Sequence, residues 1–466
     1  MMGEKRAPRR APRLGGAMGW KARKRELHPA RILVIGFAAL IAAGGLLLCL
    51  PAASASGVSI GPLAAFFTAT SATCVTGLTV IVPGEDLSLF GQLVMLFLIQ
   101  AGGLGFMTLG TLLFAVLRRR MSLNEQLTLQ ESLNEDRAQG ISQLALSVVR
   151  LTFIIELAGA ALFACRLVPA YGWGRGLYLS LFHAVSAFCN AGFDLFGADS
   201  LIPFAEDALV NATVMLLIIL GGLGFTVLLE LLHLRRHRRL SLHSRLALAA
   251  TGGLLVFGFL FFLLVEWNNP ATLGALSPGG RVMGAAFQSV TCRTAGFNTI
   301  PQAPLTAPSK LMSCILMFIG ACPGSTGGGV KATTTAVVML LLISTVKGDE
   351  DPRLFRHRLG LNLVRRALAI VVISVLLVLA VTMALCLLES DTIPFLDLLY
   401  ETISAFGTVG LGLGNTPGLS AVSKLCLMAT MFAGRLGPMT LMLAIARRQA
   451  RTGRGPKFPE GRIMVG

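Results

Sequence analysis

Charge is scarce in this chain. Only 14% of its 466 residues are Asp, Glu, Lys or Arg, while 54% are hydrophobic. With a mean hydropathy of +0.73, that balance excludes an ordinary soluble domain. Several apolar runs exceed the roughly 18–20 residues that cross a bilayer core. Tryptophan and tyrosine are nearly missing, at three each, so helix anchoring falls to Lys, Arg and Phe-rich packing. Paired cysteines are missing as well. The nine cysteines are scattered singly with no Cys-x-x-Cys, which argues against a disulfide framework or a thiolate metal site. In apolar runs a free thiol behaves as a small hydrophobe. No Rossmann fingerprint, Walker-spaced loop or nucleophile with its base is present, so the chain does not read as an enzyme.

Basic residues are sparse in one set of loops and crowded into the other. Of 40 Lys and Arg, 32 fall in residues 1–31, 118–150, 235–245, 347–366 and 447–466. That spacing argues against nucleic acid as the partner. It is the positive-inside distribution, and it puts both termini in the cytoplasm. The opposite loops carry Arg166, Arg175, Arg281, Lys310 and Lys424 against ten acidic residues, including Glu85, Asp86, Asp194, Asp199, Glu206 and Asp207. An electronegative outer face would concentrate cations at a pore mouth; ordinary solvated loop charge is the alternative for any one residue. Residues 1–28 are rich in Arg, Pro and Gly and read as a disordered tail. Pro51-Ala-Ala-Ser-Ala-Ser-Gly57 resembles a signal-peptidase site. Cleavage there would remove the opening span of the first repeat, so 31–51 is read as a membrane helix.

The organising feature is an internal repeat. Four polar, glycine-punctuated stretches interrupt the apolar sequence in register: Ser71-Ala-Thr-Cys-Val-Thr-Gly77, Ser186-Ala-Phe-Cys-Asn-Ala-Gly192, Val290-Thr-Cys-Arg-Thr-Ala-Gly296 and Ser404-Ala-Phe-Gly-Thr-Val-Gly410. First long helices are predicted near 31–51, 144–169, 246–267 and 366–389, and short helices near 59–73, 176–188, 280–291 and 394–406. Second long helices are predicted near 88–117, 208–234, 308–346, broken, and 419–447. Two spans plus a re-entrant hairpin return the chain to its starting side, so all four units share one orientation about the membrane normal. Inverted repeats, the mark of many carriers, need an odd number of spans per unit. The expected fold is an all-α membrane protein of four tandem helix–pore-helix–filter-loop–helix repeats around a pseudo-fourfold pore. It has eight membrane spans plus four re-entrant hairpins. The units run 29–120, 121–240, 241–350 and 351–466, the last with the basic C-terminal tail.

Irregular backbone survives at membrane depth only where protein buries it or where it lines a water-filled cavity. Four such loops in register suggest one cavity with four walls, and a ring of carbonyls can replace a potassium ion's hydration shell. Each short helix points its partially negative C-terminus at the loop. Helix-breaking kinks with packing glycines are the alternative. Gly102-Gly-Leu-Gly-Phe106 and Gly221-Gly-Leu-Gly-Phe225, with the variant Gly434-Arg-Leu-Gly-Pro438, read as sites of close helix packing.

From residue 29 to about 450 the chain resembles the potassium-translocating membrane subunits of the Trk/Ktr/HKT superfamily. The motifs are Thr-Gly-Leu in the first unit, Ser-Ala-Phe-Cys-Asn-Ala-Gly-Phe-Asp in the second, Arg-Thr-Ala-Gly-Phe-Asn in the third and Ser-Ala-Phe-Gly-Thr-Val-Gly-Leu in the fourth. A basic tail in place of an extra N-terminal helix pair is similar to the Ktr type. The resemblance implies that Gly77, Gly192, Gly296 and Gly410 sit in the filter. Glycine at all four favours potassium, because serine at the first position accompanies sodium permeation in some plant members. The expected ion-binding residues are Val75, Thr76 and Gly77; Asn190, Ala191 and Gly192; Thr294, Ala295 and Gly296; and Thr408, Val409 and Gly410. Cys189 stands where relatives often carry Asn.

The third unit departs from its siblings: where they are read as having a plain helix, it has Gly320-Ala-Cys-Pro-Gly-Ser-Thr-Gly-Gly-Gly-Val-Lys331. Pro323 and five glycines unwind the helix within the membrane. The resemblance implies a gating loop over 320–331, with Gly320, Pro323, Gly324, Ser325, Thr326, Gly327, Gly328, Gly329 and Lys331 as its parts; a kink without a gating role is the alternative. Arg435 lies mid-membrane and by default marks function. It would stand beside the loop as a fixed positive charge, or else pair with Glu156 or Glu230. Arg293 is read as a brace for filter carbonyls, paired with Glu401 of the fourth short helix, with a pore-lining charge as the alternative, and His183 as a packed hydrogen-bonding residue.

The amphipathic stretch 118–143 and the basic stretch 353–366 read as docking surface, although anionic lipid alone would satisfy the latter. The resemblance implies a homodimer resting on a cytosolic ring of nucleotide-binding regulatory subunits, which sense ATP or ADP. This chain would carry no cofactor. Potassium would be its cargo, sodium a candidate activator, membrane lipid its surroundings, and nucleic acid no partner. The resulting expectation is potassium uptake across the bacterial cytoplasmic membrane, driven by the membrane potential, through a carbonyl-lined filter with an intramembrane gate. A sodium- or proton-coupled carrier of another solute is the first alternative, and a closed channel-like scaffold the second.

Overall fold

The computed structural model describes residues 29–105, 141–234, 239–349, 351–355, 357–389, 393–438 and 440–441. The tail 1–28, nearly all of the stretch 118–143 and the tail from 447 lie outside the described residues.

Four long helices form an outer set: α1 (Pro29–Leu48), α4 (Ile141–Tyr171), α8 (Leu242–Glu266) and α12 (Leu361–Leu388). Each is long and apolar enough to cross a membrane. Their outward faces expose Leu46, Leu157, Leu264 and Leu376, one from each helix, as lipid contact requires. Four short helices follow: α2 (Pro62–Cys74), α5 (Trp173–Phe188), α9 (Pro278–Thr291) and α13 (Phe395–Gly407). Proline opens α2 and α9, where a missing N–H costs nothing. The final turns of all four short helices are buried. Each 13–16-residue element starts at an exposed or half-exposed turn, as at Trp173 and Phe395, and runs inward to its buried C-terminal end.

The second helices of the repeats are α3 (Leu89–Leu104), α6 (Ala208–Leu223) with its continuation α7 (Phe225–Leu232), α10 (Ala307–Phe318) with α11 (Ala332–Lys347), and α14 (Ala421–Leu436). Their outer starts are tied down by polar caps. Asp207 accepts from the amides of Leu209 and Val210 at 3.1 Å each. Glu266 at the end of α8 accepts from Thr306 N at 3.0 Å, and Glu389 after α12 accepts from Ser420 N at 2.8 Å. The same device thus joins first helix to second in two repeats. With Arg166–Asp207 at 2.5 Å and Lys310–Asp397 at 2.9 Å, it engages several acids of the loops opposite the basic ones.

The packing order closes a ring. Helix α3 of the first repeat lies against α5 of the second, α6 against α9 of the third, α10 against α13 of the fourth, and α14 back against α2 of the first. Each short helix is therefore clasped between its own repeat and the one before. The chain is an all-α membrane protein with this fourfold arrangement. A two-residue antiparallel pair, Arg353–Leu354 with His357–Arg358, is its one sheet among the described residues. There Leu354 and Leu359 pack with α11 and α12.

The second helices differ from the sequence reading. Plain helices were expected in the first, second and fourth repeats, yet each stops at a glycine with positive φ: Gly105 at 78°, Gly224 at 96° and Gly437 at 82°. At Gly224 the axis bends by 103°. Left-handed backbone is accessible to glycine without a Cβ clash, so the final glycine of each Gly-x-Leu-Gly ends the helix. The first glycine keeps its packing role. A Cβ at Gly102, Gly221 or Gly434 would run into the carbonyl oxygen of Thr73, Phe188 or Phe406. These are the same position in three of the short helices.

Candidate functional site

The four polar loops lie at the C-termini of α2, α5, α9 and α13 and share one local conformation. Val75, Asn190, Thr294 and Thr408 have φ of 57°, 57°, 67° and 52°. The glycines two residues later have φ of 93°, 68°, 83° and 92°. Left-handed φ at a β-branched residue costs about 1–3 kcal/mol and persists only where surroundings enforce it. Here the enforcement is hydrogen bonding. Thr76 N donates to Ser71 O at 2.8 Å, Ala191 N to Ser186 O at 2.8 Å, Ala295 N to Thr291 O at 3.1 Å and Val409 N to Ser404 O at 2.9 Å. The serine hydroxyls hold the far end: Ser71 and Ser404 accept from Gly77 N and Gly410 N at 3.1 Å each. Ser186 Oγ donates to Phe193 O at 2.6 Å, and Thr291 Oγ1 to Phe297 O at 2.7 Å.

These loops converge. A Cβ added at Gly77 would lie 2.5 Å from Ala191 O, and one at Gly192 would lie 2.6 Å from Ala295 O. At Gly296 and Gly410 it would strike Val409 O and Thr76 O. First meets second, second meets third, third meets fourth, and fourth meets first. The twelve residues expected at the filter are thus brought together, and glycine is required because backbone oxygens of the neighbouring loop stand where a side chain would go. Across the second and third loops the Asn190 amide meets Thr294 Oγ1 at 3.2 Å.

The glycine-rich segment 320–331 lies against the inner ends of these loops. Gly328 N donates to Thr408 Oγ1 at 3.0 Å, and a Cβ at Gly327 would press on Thr294 Oγ1. Its backbone is anchored on two neighbours: Cys322 N donates to Gly222 O at 2.9 Å, Thr326 N to Gly221 O at 3.2 Å and Gly329 N to Gly434 O at 3.3 Å. In return Phe225 N, just past the helix break, donates to Gly324 O at 2.8 Å. Inside the segment Ser325 Oγ donates to Cys322 O and Lys331 Nζ to Gly327 O, each at 2.6 Å. Gly320 N closes its base on Val330 O at 2.8 Å. Pro323, which has no N–H, occupies the turn toward Gly224, where a Cβ would stand 2.6 Å from Pro323 O.

Arg435 occupies the slot that glycine fills in the sibling motifs. Its guanidinium donates to the carbonyls of Thr326, Gly102 and Gly103, tying the intramembrane loop to the first and fourth repeats. Among the described residues it forms no ion pair. Glu156 instead accepts from Gln100 Nε2 at 3.3 Å and lies 3.9 Å from Cys189 Sγ, and Glu230 accepts from Ser241 N at 3.0 Å. Arg293 does not pair with Glu401 either, and among the described residues its side chain does not reach a filter carbonyl. Glu401 accepts from Leu413 N at 3.1 Å and Thr416 Oγ1 at 2.7 Å, holding the segment after the fourth loop. Arg293 Nη2 points the other way, 3.4 Å from Gly320 O. His183 is packed as expected, with Nδ1 on Leu179 O at 2.7 Å, Nε2 accepting from Leu195 N at 3.3 Å, and its ring stacked on Phe196.

The residues missed by sequence reasoning are Gly105, Gly224 and Gly437. The signal was present: a final glycine that recurs at the same place in each motif and precedes Phe or Pro.

A ring of four hairpins on tandem helix pairs is the architecture against which known proteins can be compared. The family model described as TrkH, cation transport protein, matches residues 28–452. The chain belongs to the TrkH cation transport family. Among curated members it is 39% identical to the Ktr system potassium uptake protein B of Bacillus subtilis (strain 168), covering 94% of this chain and 97% of that one. It is 38% identical to the potassium/sodium uptake protein NtpJ of Enterococcus hirae, covering 95% and 98%. The crystal structure of the potassium transporter TrkH from Vibrio parahaemolyticus aligns with a TM-score of 0.72 at 21% identity, covering 92% of this chain and 86% of that one. The Ktr-type resemblance in the motifs is thereby upheld. This is a multi-pass membrane transport protein, not an enzyme.

Proposed function

We propose that this chain takes up potassium across the bacterial cytoplasmic membrane through the ring of four loops. The carrying observation is the closed succession in which each loop glycine faces the carbonyl of the next loop. An ion on that axis would exchange water for main-chain oxygens of Val75–Gly77, Asn190–Gly192, Thr294–Gly296 and Thr408–Gly410. Segment 320–331 would be the gate, held closed by Arg435 and Lys331, whose positive charges oppose cation passage. The driving force would be the membrane potential, worth about 2.3 kcal/mol per charge per 100 mV. Repeat boundaries at 29–120, 121–240, 241–350 and 351–466, with both termini cytoplasmic, fit this reading. A homodimer on a separate cytosolic nucleotide-binding subunit fits the relative's description as one part of a Ktr system.

The Enterococcus relative is described as carrying potassium and sodium, so sodium is proposed as a second permeant or activating ion. The deciding experiment is rubidium and sodium uptake into a potassium-uptake-deficient bacterium expressing the chain, with and without Gly77→Ser. Wild type should restore growth on low potassium, and the serine variant should shift selectivity toward sodium. Unchanged selectivity would remove the first loop from the filter.

A further inference from the structure

The fifth position of the four loops is held by Val75, Asn190, Thr294 and Thr408, all fully buried. Two of these, on the adjacent third and fourth loops, turn their hydroxyls toward the intramembrane segment. Gly328 N donates to Thr408 Oγ1 at 3.0 Å. A Cβ at Gly327 would strike Thr294 Oγ1, one at Gly328 would lie 2.5 Å from Thr408 Oγ1, and one at Gly329 would lie 3.2 Å from the Cα of Gly407. Three successive glycines thus run along the inner ends of both loops, and a side chain at Gly327 or Gly328 would hold the segment off the hydroxyls. The segment also brings positive charge. Lys331 Nζ donates to Gly327 O at 2.6 Å, and the Arg435 guanidinium donates to Thr326 O. One peptide unit therefore carries two contacts: its carbonyl takes the ammonium, and its N–H reaches Thr408. A charge on the carbonyl polarises that N–H and strengthens its hydrogen bond.

We propose that the hydroxyls of Thr294 and Thr408 form an alkali-ion site at the inner end of the ring, and that ion binding there and seating of segment 320–331 exclude one another. A hydroxyl oxygen that accepts an amide proton offers the lone pairs that a dehydrated cation takes. An ion arriving from the ring meets a Thr408 oxygen engaged by Gly328 N, backbone pressed on both hydroxyls, and the Lys331 ammonium behind the same peptide. Binding exchanges the amide for the ion, and the segment leaves the loops. Thr408 is the stronger of the two ligands, because Thr294 Oγ1 also meets the Asn190 amide at 3.2 Å. Val75 offers no oxygen from its side chain, so the site lies toward the third and fourth loops. The inference rests on the potassium reading above and adds that the cargo itself releases the segment.

Hydrogen exchange of the full chain in liposomes reads the Gly328 amide directly. In the wild type, exchange of the peptide containing Gly327–Gly329 should be about 2- to 10-fold faster in potassium chloride than in choline chloride, the range of one neutral hydrogen bond. Thr408→Val should exchange fast in both salts, and Thr408→Ser, which returns the oxygen, should recover the potassium response. Rubidium uptake gives a second readout. Thr408→Val should raise Vmax through a loosened segment and raise KM through a lost ligand, whereas a merely structural role would lower Vmax alone. Wild-type exchange that potassium leaves unchanged or slows overturns the proposal, and this comparison needs no variant to fold. Unchanged Vmax and KM in a folded Thr408→Val overturn it as well. A wild type that shows the potassium response in exchange but takes up no rubidium keeps the ion site and removes the uptake reading.

Discussion

The third repeat and its three siblings solve one problem in two ways. In the first, second and fourth repeats the second helix ends at a single glycine, Gly105, Gly224 or Gly437. In the third the break expands into the segment between Phe318 and Ala332. The break is therefore general to the architecture, and the extra length is special to one repeat. A fourfold ring offers four equivalent places on the inner side of its loops, but only one segment fits on the axis. Placing it in a single repeat lets it donate to and accept from the backbone of the second and fourth repeats, while Arg435 links it to the first. Symmetry is kept in the ring of loops and abandoned in the segment that lies against it.

The sharpest way to break this contrast is at a ring glycine. Gly192→Val should abolish rubidium uptake in whole cells, because a branched side chain at φ 68° meets Ala295 O. Removing Gly327, Gly328 and Gly329 should act oppositely and raise uptake through shortening of the third-repeat segment alone. Arg435→Gln should raise uptake by about tenfold, equivalent to roughly 1.4 kcal/mol off the barrier, if its charge is the obstacle. If it is only a tie between repeats, the measured rate will fall with thermal stability.

Smaller effects separate the glycines themselves. Gly224→Ala should destabilise by about 1 kcal/mol or more, since alanine is strained at positive φ. Gly252→Ala, in an exposed helical stretch, should stabilise by about 0.5–1 kcal/mol; thermal melting in detergent reads both. The least effect belongs to the outer rim. Glu206 is held below its ordinary value of 4.5 by hydrogen bonds from the Ser277 side chain and amide. A depressed carboxylate contributes stability that is complete above its unfolded value and lost as pH falls through the lower folded one. Glu206→Gln should therefore reduce the acid-side slope of melting temperature below pH 4.5 and leave neutral stability nearly unchanged.

The sequence revealed the repeat, the short helices to within a few residues and the twelve loop residues that meet, because glycine spacing and hydropathy carry all three. It also located 320–331, where Pro323 and five glycines cannot continue a helix. It misassigned the partner of Arg293, and it left Arg435 between a place beside 320–331, where it lies, and an ion pair, which it does not form among the described residues. Arg293 and Glu401 sit near one another along the repeat pattern, but which way a long side chain turns depends on which neighbouring helix leaves room. Glu401 was drawn to Thr416 and Leu413, downstream in its own repeat, and Arg435 to carbonyls freed by helix breaks that the sequence reading had not placed. An error in backbone thus propagated into an error in electrostatics.

The last repeat is also the one that must find the first. Helix α14 covers α2, Gly410 abuts Thr76, and Arg435 grips Gly102 and Gly103. All three contacts cross the same seam, between segments more than 300 residues apart in the chain. That seam can therefore close only after the fourth repeat has been synthesised. The arginine that would restrain conduction in the finished protein is also the clasp that shuts it during assembly.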